Sequence, residues 1–240
     1  MSLARVALIG GTGTGPLLAG LPARPVRVPT PFGTFQAALA NQGILLVKRH
    51  SAGHRVPPHK IAFHAIADGL RRSGVRTCLA TAAVGSLRRD WPTGTIVIVR
   101  DFLDLSFRRA TLFDREVVHT DMTDPAPAAT YLLEAARQAG IEVADGGVYA
   151  NLDGPRYETP SEIAMLAGLG AGVVGMTAGT EAILLAESKI AYGCVAVVSN
   201  LAAGMEGEVL DHADVVSAME ARADDLKRLL TVALDQARQE

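Results

Sequence analysis

Short runs rich in β-branched residues alternate along the chain with longer stretches of helical periodicity, and this rhythm limits the fold more than any other feature. The runs are Arg5 to Ile9, Ile44 to Lys48, Val75 to Ala80, Thr95 to Val99, Gly147 to Ala150, Gly172 to Gly175 and Gly193 to Ser199. Each has the composition of a buried strand. Helical patterns fall near 59–73, 129–139, 160–170, 180–189 and 212–238. In the last of these Val215, Met219, Ala223, Leu226, Leu230 and Ala233 share one stripe behind Asp211 as a cap. Thr159-Pro160-Ser161-Glu162 has the spacing of a capping box, so a helix is expected to start there. The alternation predicts an α/β fold, a single domain over 1–240 with a central mixed β-sheet flanked by helices. Residues 20–33 carry Pro22, Pro25, Pro29 and Pro31 and read as turn-rich or extended.

Composition narrows the function classes. Of the 240 residues 49% are apolar but only 5% aromatic, so the core is built from Ala, Val, Leu and Ile. Lys plus Arg number 23 against 25 Asp plus Glu, a net charge of −2, with no basic stripe for nucleic acid. Cys78 and Cys194 lie in apolar runs and read as buried thiols. His54, His59 and His64 lack the tight spacings of a zinc site, so no metal is expected. No apolar stretch reaches the roughly 18 residues of a membrane span, and the first residues lack a signal pattern. The expectation is a cytoplasmic protein with neither membrane nor nucleic acid as partner.

Chemistry-bearing residues gather where strands end, and a sheet lines such ends up along one edge. The loop Gly10-Gly11-Thr12-Gly13-Thr14-Gly15 could cradle an anion, but it lacks the third glycine of the dinucleotide fingerprint and the Lys-Ser/Thr of a triphosphate loop. Lys48-Arg49-His50 offers a planar guanidinium fork and an imidazole. Tyr157 and Glu158, in Asn151 to Thr159, offer a ring and an acceptor. Gly175-Met176-Thr177 and Ser199-Asn200 end two further apolar runs, and Glu181 follows on a helix. Each has an ordinary alternative when taken alone: a turn, a surface basic cluster, a packed aromatic, a turn-forming Asn.

Together these segments resemble the trimeric purine nucleoside phosphorylase and methylthioadenosine phosphorylase family. The resemblance rests on Ile9-Gly10-Gly11-Thr12-Gly13, Arg49-His50, Ala82-Ala83-Val84-Gly85-Ser86-Leu87, Gly154 to Thr159, Gly175-Met176-Thr177 and Ser199 to Gly204, and spans nearly the whole chain in order. It implies a nucleoside phosphorylase with no cofactor, in which inorganic phosphate is co-substrate and attacks C1′ of a purine nucleoside. By the same resemblance Thr12, Arg49, His50, the Ala83 backbone N–H and Thr177 surround the phosphate, and Met176 lines the ribose. Tyr157 stacks beside the base, Glu158 and Asn200 hold its polar edge, and Asn200, Glu158 and His50 carry the catalysis. A homotrimer is implied too, with His119 reaching a neighbouring subunit's 5′ pocket.

Donor–acceptor logic selects the base. A 6-oxopurine presents N1–H to an ionised Glu158 and its O6 and N7 to the Asn200 amide, whereas adenine presents a bare acceptor at N1. The expected reaction is therefore phosphorolysis of inosine or guanosine, or of 5′-methylthioinosine; methylthioadenosine phosphorolysis is the alternative. His212 stands where a 5′-hydroxyl partner is expected, while adjacent Arg49-His50 and His119 resemble the methylthio branch. Two departures stand out: Ala82 replaces the family's usual Asn or Thr, and Ala178-Gly179-Thr180-Glu181 replaces Thr-Val-Pro-Glu, which predicts a more mobile or remodelled loop. The remaining rivals are a hydrolytic nucleosidase and a nucleoside-binding protein without activity.

Overall fold

The computed structural model of the chain describes residues 3–11, 22–51, 56–205 and 212–239, with 212–214 as backbone alone. A nine-stranded sheet forms its centre, in the order β2-β3-β4-β1-β5-β8-β7-β6-β9. The strands are β1 Val6–Gly10, β2 Ala23–Thr30, β3 Gly33–Ala40, β4 Ile44–Lys48, β5 Thr77–Ser86, β6 Ile96–Asp104, β7 Ala144–Asn151, β8 Val173–Gly175 and β9 Ala191–Leu201. Because β9 also pairs with β5, the strands β5, β8, β7, β6 and β9 close into a ring. Pairing is mixed: β1 runs parallel to β4 and β5, and β5 parallel to β9, whereas β5–β8 and β6–β9 are antiparallel.

Apolar residues on both faces explain why the sheet is covered on both sides. All five residues of β1 are buried, as a run without polar alternation requires. One face packs against α1 (Phe63–Arg72) and α4 (Ala178–Glu187) through Phe63, Ala67, Leu70, Ala182 and Leu185. The other packs against α2 (Ala129–Ala139) and α6 (Ala223–Gln239) through Leu132, Ala136, Leu229, Leu230 and Ala233. The helix α3 (Pro160–Gly168) begins with the expected capping box: Thr159 Oγ1 accepts from Glu162 N at 3.2 Å, and Glu162 Oε2 accepts from Thr159 N at 2.7 Å.

Two expected spans need correction, and the segment expected to be turn-rich or extended proves extended. The stretch read as one helix over 212–238 is two, α5 (His212–Ala221) and α6, broken at Arg222. Its apolar stripe runs through both, with Val215, Met219, Leu226 and Leu230 buried, so periodicity alone could not show the break. The proline-rich segment forms the edge strand β2, and β3, unnoticed in the sequence, pairs with it. Pro25 and Pro29 are four apart and so share one side of an outermost strand, where a missing N–H breaks no ladder. The run read over Val75 to Ala80 continues to Ser86 as β5. Asp211, the expected cap, lies outside the described residues.

Candidate active site

The pairing scheme leaves a notch in the sheet, and the site lies there. β1 accompanies β5 only as far as Ala80, and β8 joins β5 only from Gly85, so among the described residues one side of 81–84 has no strand neighbour. Peptide groups alternate along a strand. The Thr81 carbonyl accepts from Arg49 Nη1 on the β1 side at 2.9 Å, so the Ala83 peptide groups point the same way, into the notch. The Val84 carbonyl points oppositely, toward β9, with Ser199 Oγ 3.2 Å away.

A cavity of about 350 Å³ opens at this notch, within the size range of small-molecule sites. It gathers Arg49, His50, Ala83, Tyr157, Glu158, Met176, Thr177 and Asn200, all of them expected from sequence. Ala82 lines it too, where its methyl offers no polar contact. Thr12 lies outside the described residues, as does the side chain of His212. Val215, one turn beyond His212 on α5, lines the cavity. His119 is exposed and apart from this chain's cavity.

Arg49 and His50 follow directly from β4, which delivers them to the strand-end edge. One edge of the Arg49 fork expected to meet phosphate is taken by a carboxylate. Nε and Nη2 donate to Glu181 Oε1 and Oε2 at 2.5 and 2.9 Å, both side chains being 2% exposed. Burial works against the Arg49 charge, but the Glu181 carboxylate more than offsets it and holds the pKa above its ordinary value. Gly11 lets the chain cross the guanidinium, since a Cβ there would stand 2.4 Å from Nη1. His50 Nδ1 lies 2.8 Å from the Val56 carbonyl, which can only accept, so the neutral ring carries its proton on Nδ1.

Thr177 sits between β8 and α4. The backbone N–H groups of Thr177 and Ala178 both donate to Tyr149 Oη, at 3.2 and 3.5 Å. Burial pushes the Tyr149 pKa up to about 12, so this hydroxyl stays neutral. The next N–H, of Gly179, donates to Asn151 Oδ1 at 3.2 Å, while Asn151 Nδ2 donates to Thr180 Oγ1 and Asp104 Oδ1. The opening N–H groups of α4 are thus bound by side chains from β7, and Thr177 at their head lines the cavity. At Ala178-Gly179-Thr180 the Asn151 side chain packs so closely that a Cβ on Gly179 would stand 2.6 Å from Asn151 Cβ.

A bulge in β9 sets Asn200. Val84 pairs with Val198 but Gly85 with Asn200, so Ser199 is the extra residue and Asn200 is re-aimed. Ser199 Oγ donates to Asn200 Oδ1 at 2.7 Å, and Asn200 Nδ2 donates to the Leu201 carbonyl at 2.9 Å. The amide orientation is fixed by a hydroxyl on its oxygen and a carbonyl on its nitrogen, with a second Nδ2 hydrogen remaining. Glu158, half-buried on the same cavity, has its pKa raised, chiefly by burial. Tyr157, 38% exposed, stands at the rim.

Sequence reading missed Tyr149, Asn151, Ser199 and Tyr192 as supports, and gave Glu181 no partner. A carboxylate in an otherwise apolar helix such as Ala178–Glu187 is a readable signal of a buried pair. Nothing comparable marks Tyr192, one residue in a buried strand.

A cavity of small-molecule size at the strand ends of a mixed sheet, with a buried cation and an oriented amide, defines an α/β enzyme with a polar small-molecule site. The chain belongs to the Phosphorylase superfamily, whose family model matches residues 5–235, and it is a nucleoside phosphorylase. It is 41% identical to a probable S-methyl-5'-thioinosine phosphorylase of Methanopyrus kandleri, over 85% of this chain and 81% of that one. It is 36% identical to the 6-oxopurine nucleoside phosphorylase of Pyrococcus furiosus, over 96% and 92%. Its fold is similar to that of a methylthioadenosine phosphorylase from an antarctic soil metagenomic library, with a TM-score of 0.89 and 27% identity over 100% and 88% of the chains.

Proposed function

We propose that this enzyme catalyses phosphorolysis of 6-oxopurine nucleosides, inosine or guanosine and equally 5′-methylthioinosine, yielding the free base and the pentose 1-phosphate. The observation that carries this reading is the Asn200 amide, oriented by Ser199 and Leu201, sharing one cavity with Glu158 and with Arg49, His50 and Thr177. Glu158, ionised, accepts N1–H of the base; Asn200 Nδ2 donates to the N7 and O6 edge. A phosphate oxygen bonds to C1′ as the C1′–N9 bond breaks. Its electron pair passes into the purine, where the Asn200 donor stabilises the developing charge.

Thr12, Arg49, His50, the Ala83 N–H and Thr177 hold the phosphate, Met176 lines the pentose and Tyr157 covers the base. His212 and His119 of an adjoining copy serve the 5′ end. No cofactor is needed beyond phosphate as co-substrate. The enzyme acts in the cytoplasm as a homotrimer; among the described residues no helix is long and apolar enough to cross a membrane. The second reading, methylthioadenosine phosphorolysis, draws on the apolar Val56, Pro57, Pro58 and Val215 lining the cavity. Glu158 opposes it, since a carboxylate repels the bare N1 of adenine.

Chromatography of inosine, methylthioinosine and methylthioadenosine reactions, with and without phosphate, tests the proposal. Phosphate-dependent hypoxanthine release is expected; adenine release would overturn the base assignment, and release without phosphate would make the enzyme a nucleosidase.

A further inference from the structure

Behind the cavity lies a buried polar chain, of which Arg49 lines the cavity and Glu181 and Tyr192 do not. Tyr192 Oη donates to Glu181 Oε2 at 2.8 Å, and that oxygen also accepts from Arg49 Nη2 at 2.9 Å. Tyr192, Glu181 and Arg49 are 3%, 2% and 3% exposed, so no water competes for these bonds. Burial raises the Tyr192 pKa well above its ordinary value, aided by Cys194 and Glu181, and the hydroxyl therefore remains a donor. Of the five N–H groups of the Arg49 guanidinium, Glu181 takes two and the Thr81 carbonyl one. The others belong to Nη1 and Nη2 of a side chain that lines the cavity.

We infer that Tyr192 and Glu181 are positioning residues for phosphate: they lock the Arg49 guanidinium so that its remaining N–H groups face the anion. This rests on the proposed reaction for its purpose, but the geometry stands without it. A guanidinium held on two edges presents its last hydrogens in one direction, so little orientational freedom is lost when the anion binds. Glu181 sets the side chain's pitch, and the Tyr192 hydroxyl sets Glu181, since without it Oε2 keeps a single donor and the carboxylate can turn. The charge balance follows as well. Glu181 neutralises Arg49, so the pair draws phosphate through directed donors rather than through net charge, and misalignment weakens binding more than a surface arginine would.

The test is calorimetric titration of inorganic phosphate into the wild-type, Tyr192→Phe and Glu181→Gln enzymes, beside kinetics with inosine and thermal unfolding of each. Tyr192→Phe is expected to weaken phosphate binding roughly five- to tenfold, in the range of one ordinary hydrogen bond, because the lost bond acts on the anion only through Glu181 and Arg49. KM for phosphate should rise in parallel, while KM for inosine moves less than twofold. Glu181→Gln should weaken phosphate binding further. If both variants bind phosphate within twofold of wild type, whatever their melting temperatures, the two residues serve stability alone and the inference is overturned. A wild-type enzyme that binds no phosphate also overturns it. Phosphate binding that depends on Tyr192, in a protein that releases no base from inosine, would uphold the inference while removing the proposed reaction.

Discussion

At Asn200 the local geometry makes a sharp statement about substrate. The Leu201 carbonyl, 2.9 Å from Nδ2, needs a donor there, and Ser199 Oγ already donates to Oδ1. Asn200→Asp replaces that donor with an oxygen facing a carbonyl, so the new carboxyl is expected to hold a proton or rotate. Either way its free oxygen accepts rather than donates. The rate ratio of inosine to adenosine should fall by about tenfold or more; an unchanged ratio would remove Asn200 from the base site. Glu158 gives a second residue-scale prediction. Its pKa is raised by burial, and only the ionised form accepts N1–H, so kcat/KM for inosine should decline on acidification starting above the ordinary carboxylate range. Glu158→Gln should lose that limb. The linkage has the opposite sign for stability. Folded Glu158 binds its proton more tightly than the unfolded chain does, so it contributes stability below its ordinary pKa of 4.5 that is lost as pH rises through the folded value.

At the level of elements, what the sequence revealed and what it hid follow from how each element is stabilised. The helix α3 was legible because its start is local: Thr159, Pro160 and Glu162 carry the whole instruction. Thr159→Ala should remove about 1 kcal/mol, a drop of roughly 2–4 °C in Tm for a chain of this size, without altering phosphate kinetics. The start of α4 was not legible, because its N–H groups are bound by Tyr149 and Asn151 from β7, far away in sequence. No local motif records that dependence, and the lost proline therefore suggested a loose loop. Gly179→Ala forces a methyl onto the Asn151 side chain and should destabilise by about 1–3 kcal/mol. Because Thr177 precedes that helix, KM for phosphate should rise with it. A variant that loses stability yet keeps wild-type phosphate KM would detach Thr177 from the anion site. The strand β3 escaped notice for a related reason: Gly33 to Ala40 is only partly buried on a sheet margin, so neither alternation nor an apolar run announces it.

Across the whole molecule, ring closure of β5, β8, β7, β6 and β9 brings the ends of distant strands to one notch, which explains why segments unremarkable alone form one site. The same molecule exposes apolar side chains that its own fold does not use. Phe107 is 100% exposed, Val117 88%, Val118 44% and Leu105 38%, within the segment that ends at His119. That segment is anchored, since Asp153 Oδ2 accepts from Phe107 N at 2.7 Å and Asp153 Oδ1 from Arg108 Nε at 2.6 Å. An anchored apolar stretch outside the cavity suits a contact between copies, and His119 can serve a 5′ pocket only across such a contact. The homotrimer that the family resemblance implies predicts a sedimentation-equilibrium mass of about 75 kDa, three times the 25.1 kDa chain. Phe107→Asp should shift the mass toward the single chain and raise KM for the nucleoside while leaving direct phosphate binding nearly unchanged, because the anion residues belong to one chain. A wild-type monomer with full activity would sever His119 from the site and leave the 5′ end to α5 alone.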